Sequence, residues 1–158
     1  MADQVFNIAK GRITEFYNRI VSNDPINSAF VLILLKTSEA DSTLIDYDTL
    51  GALLAGANTE ANFTNYARKV LTNTDIAALP APDDTNNRFD LDLPDYIYTS
   101  AGGAVNNSIV KLVLCYDSDT LLGTDAAIIP LIHYDFVTTT DGTDVNVNWP
   151  AAGFFRSV

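Results

Sequence analysis

Short apolar segments separated by polar turn residues dominate the chain. Apolar and polar positions alternate in residues 89–93 and 145–149, which is the two-residue period of a strand with one buried face. Residues 29–35 and 110–116 are nearly continuous apolar runs, which are typical of central strands covered on both sides. The pattern therefore predicts several short strands arranged around two central ones.

Three further segments carry weaker patterns. Residues 128–136 have the pattern of a strand, and Pro130 places its start at a sheet edge or a bulge because proline has no backbone N–H to donate. Residues 66–71 have the pattern of a shorter strand. In residues 46–57 the apolar side chains recur at helical spacing, which predicts one short helix there.

The segment 8–21 is compatible with two structures. Ile13, Phe16 and Ile20 fit the buried face of a helix. Gly11 and the β-branched residues of the segment favour an extended chain. We interpret the segment as a strand and keep the helix as the alternative.

Seven or more short strands joined by turns, with one short helix, indicate a mainly β fold. The arrangement we expect is an antiparallel β-sandwich of jelly-roll-like type. Charge separates the start of this chain from the rest: residues 1–22 carry three basic and two acidic side chains, and residues 23–158 carry six and eighteen. We therefore divide the chain into an N-terminal arm or first strand, 1–22, and a β-sandwich domain, 23–158.

Length and charge exclude several classes of function. A chain of 158 residues has the size of one ordinary domain. Its net charge of −11 excludes sequence-independent binding to nucleic-acid phosphates, which requires clustered cations. The apolar run 29–35 is far shorter than the roughly 20 residues that span a bilayer, and the N-terminus has no secretory signal pattern. We therefore expect no nucleic-acid partner, no membrane span and synthesis in a cytoplasm.

Candidate chemistry is sparse. The one cysteine, Cys115, lies in an apolar run and is interpreted as a buried thiol, and the one histidine, His133, is interpreted as structural or surface-exposed rather than as a general base. Two acidic loops, 83–90 and 117–125, could suggest calcium, but neither has the spacing of an EF-hand, so we interpret them as solvated turns. The sequence therefore predicts a protein that is not an enzyme and has no catalytic residue, cofactor or metal.

Five strings along the chain carry a more specific signal. They are AKGRITEFYNRIVSNDPINSAFVLILL (9–35), DYDTLGALLAGANTEANFTNYARKVLT (46–72), PDDTNNRFDLDLPD (82–95), KLVLCYDSDT (111–120) and AAGFFR (151–156). Together, and in this order, they resemble a family of small virion proteins of tailed bacteriophages, and the resemblance covers nearly the whole chain.

The resemblance implies a function as well as a fold. It implies a β-sandwich decoration or cement protein, a homotrimer on the outer surface of the phage head, whose partner is the major capsid protein. The alternative is a head-fibre, tail-associated or receptor-binding virion protein. A carbohydrate-acting enzyme is a third and more distant possibility.

The ends of the chain are the candidate contacts with the capsid or with other subunits. Cations interleaved with apolar side chains in residues 1–22 suit docking on an acidic neighbour, so deletion of residues 2–12 should leave the fold intact. In the competing interpretation the segment completes the protein's own core. The C-terminal residues either close a sheet, which we favour, or are covered by a neighbouring subunit. The candidate interface residues are Phe6, Ile8, Lys10, Arg12, Phe16, Tyr17, Phe154, Phe155 and Arg156.

Overall fold

Ten strands and a few short helices make up residues 3–158, the part of the chain that the computed structural model describes. The strands are β1 Gln4–Val5, β2 Ala29–Thr37, β3 Thr59–Glu60, β4 Lys69–Leu71, β5 Phe89–Leu91, β6 Tyr96–Tyr98, β7 Ser108–Asp117, β8 Ile129–Thr139, β9 Val145–Val147 and β10 Phe155–Ser157. The α-helices are α1 Ile13–Val21, α2 Asp41–Leu44 and α3 Leu50–Ala55, and a 3-10 helix spans Asn7–Ala9. The prediction of a mainly β fold is confirmed.

The main sheet has the strand order β1-β8-β7-β2-β3, and β4 also pairs with β2. Every pair of strands in it is antiparallel. Two small two-stranded sheets, β5 with β10 and β6 with β9, complete the β structure. The prediction of an antiparallel architecture is therefore confirmed, whereas a jelly-roll topology is not.

The two continuous apolar runs form the centre of the main sheet, as predicted. β2 and β7 pair along seven residues, from Ala29 opposite Asp117 to Leu35 opposite Lys111. The side chains of residues 29–35 are all buried, which is the pattern of a strand covered on both faces.

Pro130 lies at an irregularity of the main sheet, as its missing N–H predicts. Leu114 faces Ile132, and the next residue of β7, Cys115, faces Pro130, so β8 has an extra residue at Leu131. This is the arrangement of a β-bulge.

The interpretation of residues 8–21 as a strand is wrong. After the 3-10 helix, Gly11 turns the chain with a φ of +76°, and α1 begins at Ile13. The face of α1 that carries Ile13, Phe16 and Ile20 is buried. The helical spacing of these apolar side chains outweighs the weak strand propensity of the segment because it lets one face pack against the sheet.

The remaining helices differ in how far the sequence predicts them. α3 confirms the predicted helix within residues 46–57, and the Thr49 hydroxyl caps it by accepting a hydrogen bond from the N–H of Ala52 at 3.1 Å. α2 is a single turn that the apolar pattern does not predict. Among the helices of residues 3–158, none has the length and apolar character needed to cross a membrane.

Segments near both ends of the described chain pack on the main sheet. Phe16 of α1 stacks on Tyr116 of β7 with ring centroids 4.5 Å apart, and Phe154 lies 5.8 Å from Phe30 of β2. β1 pairs with β8, and the Phe6 ring meets His133 edge-on at 5.7 Å. The described part of residues 1–22 is thus the first strand and first helix of the same domain and not a projecting arm.

Candidate docking surface

Four of the nine candidate interface residues lie in the protein's own core. Phe6, Phe16, Tyr17 and Phe154 expose at most 5 % of their surface. Their large apolar side chains fill the space between the main sheet and the segments that cover it. Side chains that are this deeply buried offer little surface to a neighbouring protein, so the structure contradicts their assignment to an interface.

The cations of the N-terminal segment bind side chains of the same segment. Lys10 donates to the Asn7 side chain at 2.6 Å, and Arg12 pairs with Glu15 at 3.2 Å while lying over the Phe16 ring. Ile8 is half-buried against the core. Lys10, Arg12 and Arg19 offer charge to a neighbour here, and they do so from a turn and a packed helix rather than from an extended arm.

The C-terminal residues close a sheet, as we favoured, but the sheet is one of the small ones. β10 pairs with β5 through Phe155 opposite Leu91, and Arg156 binds both carboxylate oxygens of Asp90 at 2.6 and 2.8 Å. Phe155 is half-buried and Arg156 is exposed. The Arg156 cation is therefore engaged within the chain.

An apolar groove of about 560 Å³ runs between β8 and this C-terminal segment, with Phe154, Phe155 and Arg156 on one wall. Two of its polar groups are engaged inside the protein: the Tyr134 hydroxyl donates to the Phe154 carbonyl at 2.8 Å, and the Trp149 indole N–H donates to the Pro94 carbonyl at 3.1 Å. The groove thus offers aromatic walls more than polar groups that could orient a substrate.

The cysteine and the histidine are both core residues with 0 % exposure. Burial raises the pKa of the Cys115 thiol, which keeps it protonated and unreactive. The register places His133 opposite Val113 and Cys115 opposite Pro130, so the two do not face each other directly. Neither ring nitrogen of His133 has a hydrogen-bond partner among residues 3–158. This arrangement does not support a Cys–His nucleophile.

His133 should make the protein less stable in mild acid. Burial and the nearby Lys111 ammonium lower the pKa of His133 below its usual 6.5, although the carboxylates of Asp3, Asp41 and Asp135 oppose the shift. Below about pH 6.5 the unfolded chain binds a proton that the folded chain excludes, so the free energy of unfolding falls by up to about 1.4 kcal/mol per pH unit.

Urea unfolding at pH 7 and at lower pH measures this dependence. His133 is the single histidine of the chain, so His133→Leu should flatten the slope just below pH 6.5, where few other side chains titrate. An equal slope in the variant would assign the acid sensitivity to other groups.

An ion cluster of one buried lysine and two half-buried carboxylates lies beside this histidine and was not predicted from the sequence. Lys111 of β7 binds the Asp41 carboxylate at 2.6 Å and also pairs with Asp135 of β8. Burial alone would lower the pKa of Lys111, but these two carboxylates outweigh it and raise that pKa. The ammonium therefore remains charged and ties α2 to the sheet, which is a structural role.

Each of the two acidic loops has a carboxylate that binds another group of the chain. Asp125 pairs with Arg68 at 2.5 Å, and Arg68 also binds Glu60 at 2.7 Å. In the other loop, Asp83 accepts hydrogen bonds from the backbone and side-chain nitrogens of Asn86. Within residues 3–158, no three side chains of the metal-ligating types are grouped so that they could hold a metal ion.

Three apolar side chains at one end of the main sheet project into solvent. Ile26, in the turn before β2, is 69 % exposed, and Leu121 and Leu122, in the loop between β7 and β8, are 75 % and 84 % exposed. The two segments are joined because the Asn27 carbonyl accepts hydrogen bonds from the Thr120 N–H at 3.1 Å and the Thr120 hydroxyl at 3.2 Å. We call Ile26, Leu121 and Leu122 the apolar tip.

The loop that carries the two leucines is fixed by its own hydrogen bonds. The Asp119 carboxylate accepts from the N–H groups of Leu121 and Leu122 at 3.1 and 3.4 Å, and the Asp119 carbonyl accepts from the N–H of Gly123 at 2.7 Å. A Cβ at Gly123 would lie only 2.5 Å from that carbonyl oxygen, so the turn requires glycine. The loop is thus built to hold both leucines outward.

Sequence reasoning missed the apolar tip because it considered this loop only for its carboxylates. The signal that could have found it is a pair of leucines inside an acidic turn, between Asp119 and Gly123. Large apolar side chains are uncommon in such turns, and exposed apolar clusters often mark interaction sites.

Comparison of the chain with protein-family models, with curated proteins and with solved structures finds no match. The resemblance to small phage virion proteins stays a prediction.

Proposed function

We propose that this protein is a non-enzymatic virion structural protein, a decoration or cement protein that binds the outer surface of a tailed-phage head. The major capsid protein is its partner. The observation that carries the proposal is the apolar tip, since a hydrogen-bonded loop that exposes two leucines is typical of a surface that another protein covers.

The distribution of reactive groups supports binding over catalysis. Cys115 and His133 are buried, the Lys111 ammonium is held between two carboxylates, and Arg68 is held between Glu60 and Asp125. Because these groups are engaged inside the domain, the cysteine, the histidine and the two cations are not available at the surface as a nucleophile, acid or base. A protein that stabilises a shell needs only a folded body and a contact surface, because many modest contacts add up over many copies.

The acidic surface suits the same role. A net charge of −11 keeps a protein soluble at the high local concentration that a decorated shell requires. The homotrimer implied by the resemblance stays a prediction.

The number of copies per particle tests the proposal. Heads and tails of the phage that encodes this protein are purified separately, and its band is compared with that of the major capsid protein on a stained gel. A decoration protein should be present on heads in hundreds of copies. A handful of copies per particle, or a location on tails, would assign it to the alternative class of fibre and tail proteins and overturn the decoration role, as would its absence from particles.

A further inference from the structure

We propose that the apolar tip docks into an apolar socket that basic side chains of the partner surround. The inference rests on the proposed function and adds the chemistry of the surface to which the protein binds. It also reverses the expectation from the sequence, in which the positively charged N-terminal segment met an acidic neighbour.

Carboxylates flank the apolar tip on both of its segments. Asp24 lies two residues before Ile26 and is exposed, and the half-buried Asp119 lies two residues before Leu121. Asp117, at the start of the same loop, is buried at 5 % exposure and accepts a hydrogen bond from the N–H of Asp119 at 3.0 Å, so it adds negative charge behind the loop surface. Negative charge and apolar surface are therefore presented together.

The cations nearest to the tip are already paired. The backbone carbonyl of Arg19 accepts from the N–H of Asp24, which places the end of α1 beside the tip. The Arg19 side chain binds Glu15 at 2.9 Å, a carboxylate that Arg12 also binds. The hydrogen bond to Glu15 and, to a smaller extent, the charge of Asp24 raise the pKa of Arg19. Arg68, which reaches the 118–128 loop, is held by Glu60 and Asp125. Within the described residues, the charge at this end of the sheet is thus left negative.

Charge complementarity selects the partner. Two copies of this chain joined through their tips would bring Asp24 and Asp119 of one copy close to the same carboxylates of the other. Like charges across an interface are destabilising. A surface with lysine or arginine around an apolar socket instead covers the leucines and pairs the carboxylates. Burial of the leucines supplies most of the affinity, and the charges set orientation and association rate.

Binding to phage heads that lack this protein tests the inference. The probe is a preparation of such heads from the phage that encodes the chain, and binding of the purified protein is measured by co-sedimentation over a range of salt concentrations. Leu122→Ser removes apolar surface from the tip, and Val137→Ser removes it from an equally exposed position near the opposite end of β8. Asp24→Asn removes a charge beside the tip, and Asp84→Asn removes one from the exposed 83–88 turn.

We expect Leu122→Ser to weaken binding about tenfold or more and Val137→Ser to leave it unchanged. Asp24→Asn should weaken binding about two- to fivefold and reduce its sensitivity to salt, whereas Asp84→Asn should do neither. All four side chains are exposed, so melting curves should remain close to that of the parent protein and show that each variant is folded.

The outcomes separate the two proposals. If the parent protein does not bind the heads at all, both the proposed function and the inference fail. If the parent protein binds and Leu122→Ser binds equally well, the tip is not the contact and only the inference fails. If Leu122→Ser weakens binding but Asp24→Asn behaves like Asp84→Asn, the partner surface is not basic and the inference is again overturned.

Discussion

Replacing Phe16 with alanine is expected to lower the free energy of unfolding by about 3–5 kcal/mol, because a fully buried aromatic ring is lost and a cavity remains. Phe16 exposes 1 % of its surface and stacks on Tyr116 of the central strand β7. Urea unfolding followed by circular dichroism measures the change. Asn18→Ala is the matched control because Asn18 lies on the exposed face of the same helix, and it should change stability by no more than about 0.5 kcal/mol.

The same variant separates the two interpretations of the N-terminal segment. If Phe16 were a docking residue, Phe16→Ala would leave stability unchanged and affect only binding. Deletion of residues 2–12, which a docking arm would tolerate, should likewise destabilise the protein, because it removes β1 and the buried side chains of Phe6 and Ala9. A truncated chain with an unchanged melting curve would restore the arm interpretation.

The sequence predicts the centre of this fold well and its edges poorly. The runs 29–35 and 110–116 are so uniformly apolar that burial on both faces is the one arrangement that hides them, and they form the paired central strands. Residues 13–21 carry an equally informative pattern, but Gly11 and the β-branched residues of the segment favour an extended chain. The φ of Gly11, +76°, shows that this glycine is the turn before the helix and not a part of it.

The candidate site depended on packing that no local pattern reveals. Phe6, Phe16 and Phe154 contact rings on strands that are far away in the sequence, so an aromatic side chain near a chain end has the same local signature whether it is core or interface. The leucines of the apolar tip look like core residues in the sequence but are exposed in the structure. They differ from core leucines only in the loop geometry that Asp119 and Gly123 set. Long-range contacts decide both cases.

Gly153→Ala, which adds one methyl group, should lower the free energy of unfolding by about 2–5 kcal/mol. Gly153 has a φ of +76°, which costs an alanine about 1–2 kcal/mol. A Cβ there would also lie closer than 3.0 Å to the backbone carbonyl oxygen of Leu91 and 2.7 Å from its carbon. That oxygen accepts the N–H of Phe154 at 2.9 Å, so relieving the clash displaces a buried aromatic ring from the core.

Gly11→Ala is the control that separates the clash with Leu91 from the cost of the backbone conformation. The φ of Gly11 is also +76°, but an added Cβ would meet no atom within 4 Å, so Gly11→Ala carries the conformational cost alone. The two variants should therefore differ in free energy of unfolding by about 1–3 kcal/mol in urea titrations, with Gly153→Ala the less stable. Equal losses would show that the C-terminal segment can move away from Leu91 at little cost, and that Phe154 contributes less to the core than its burial indicates.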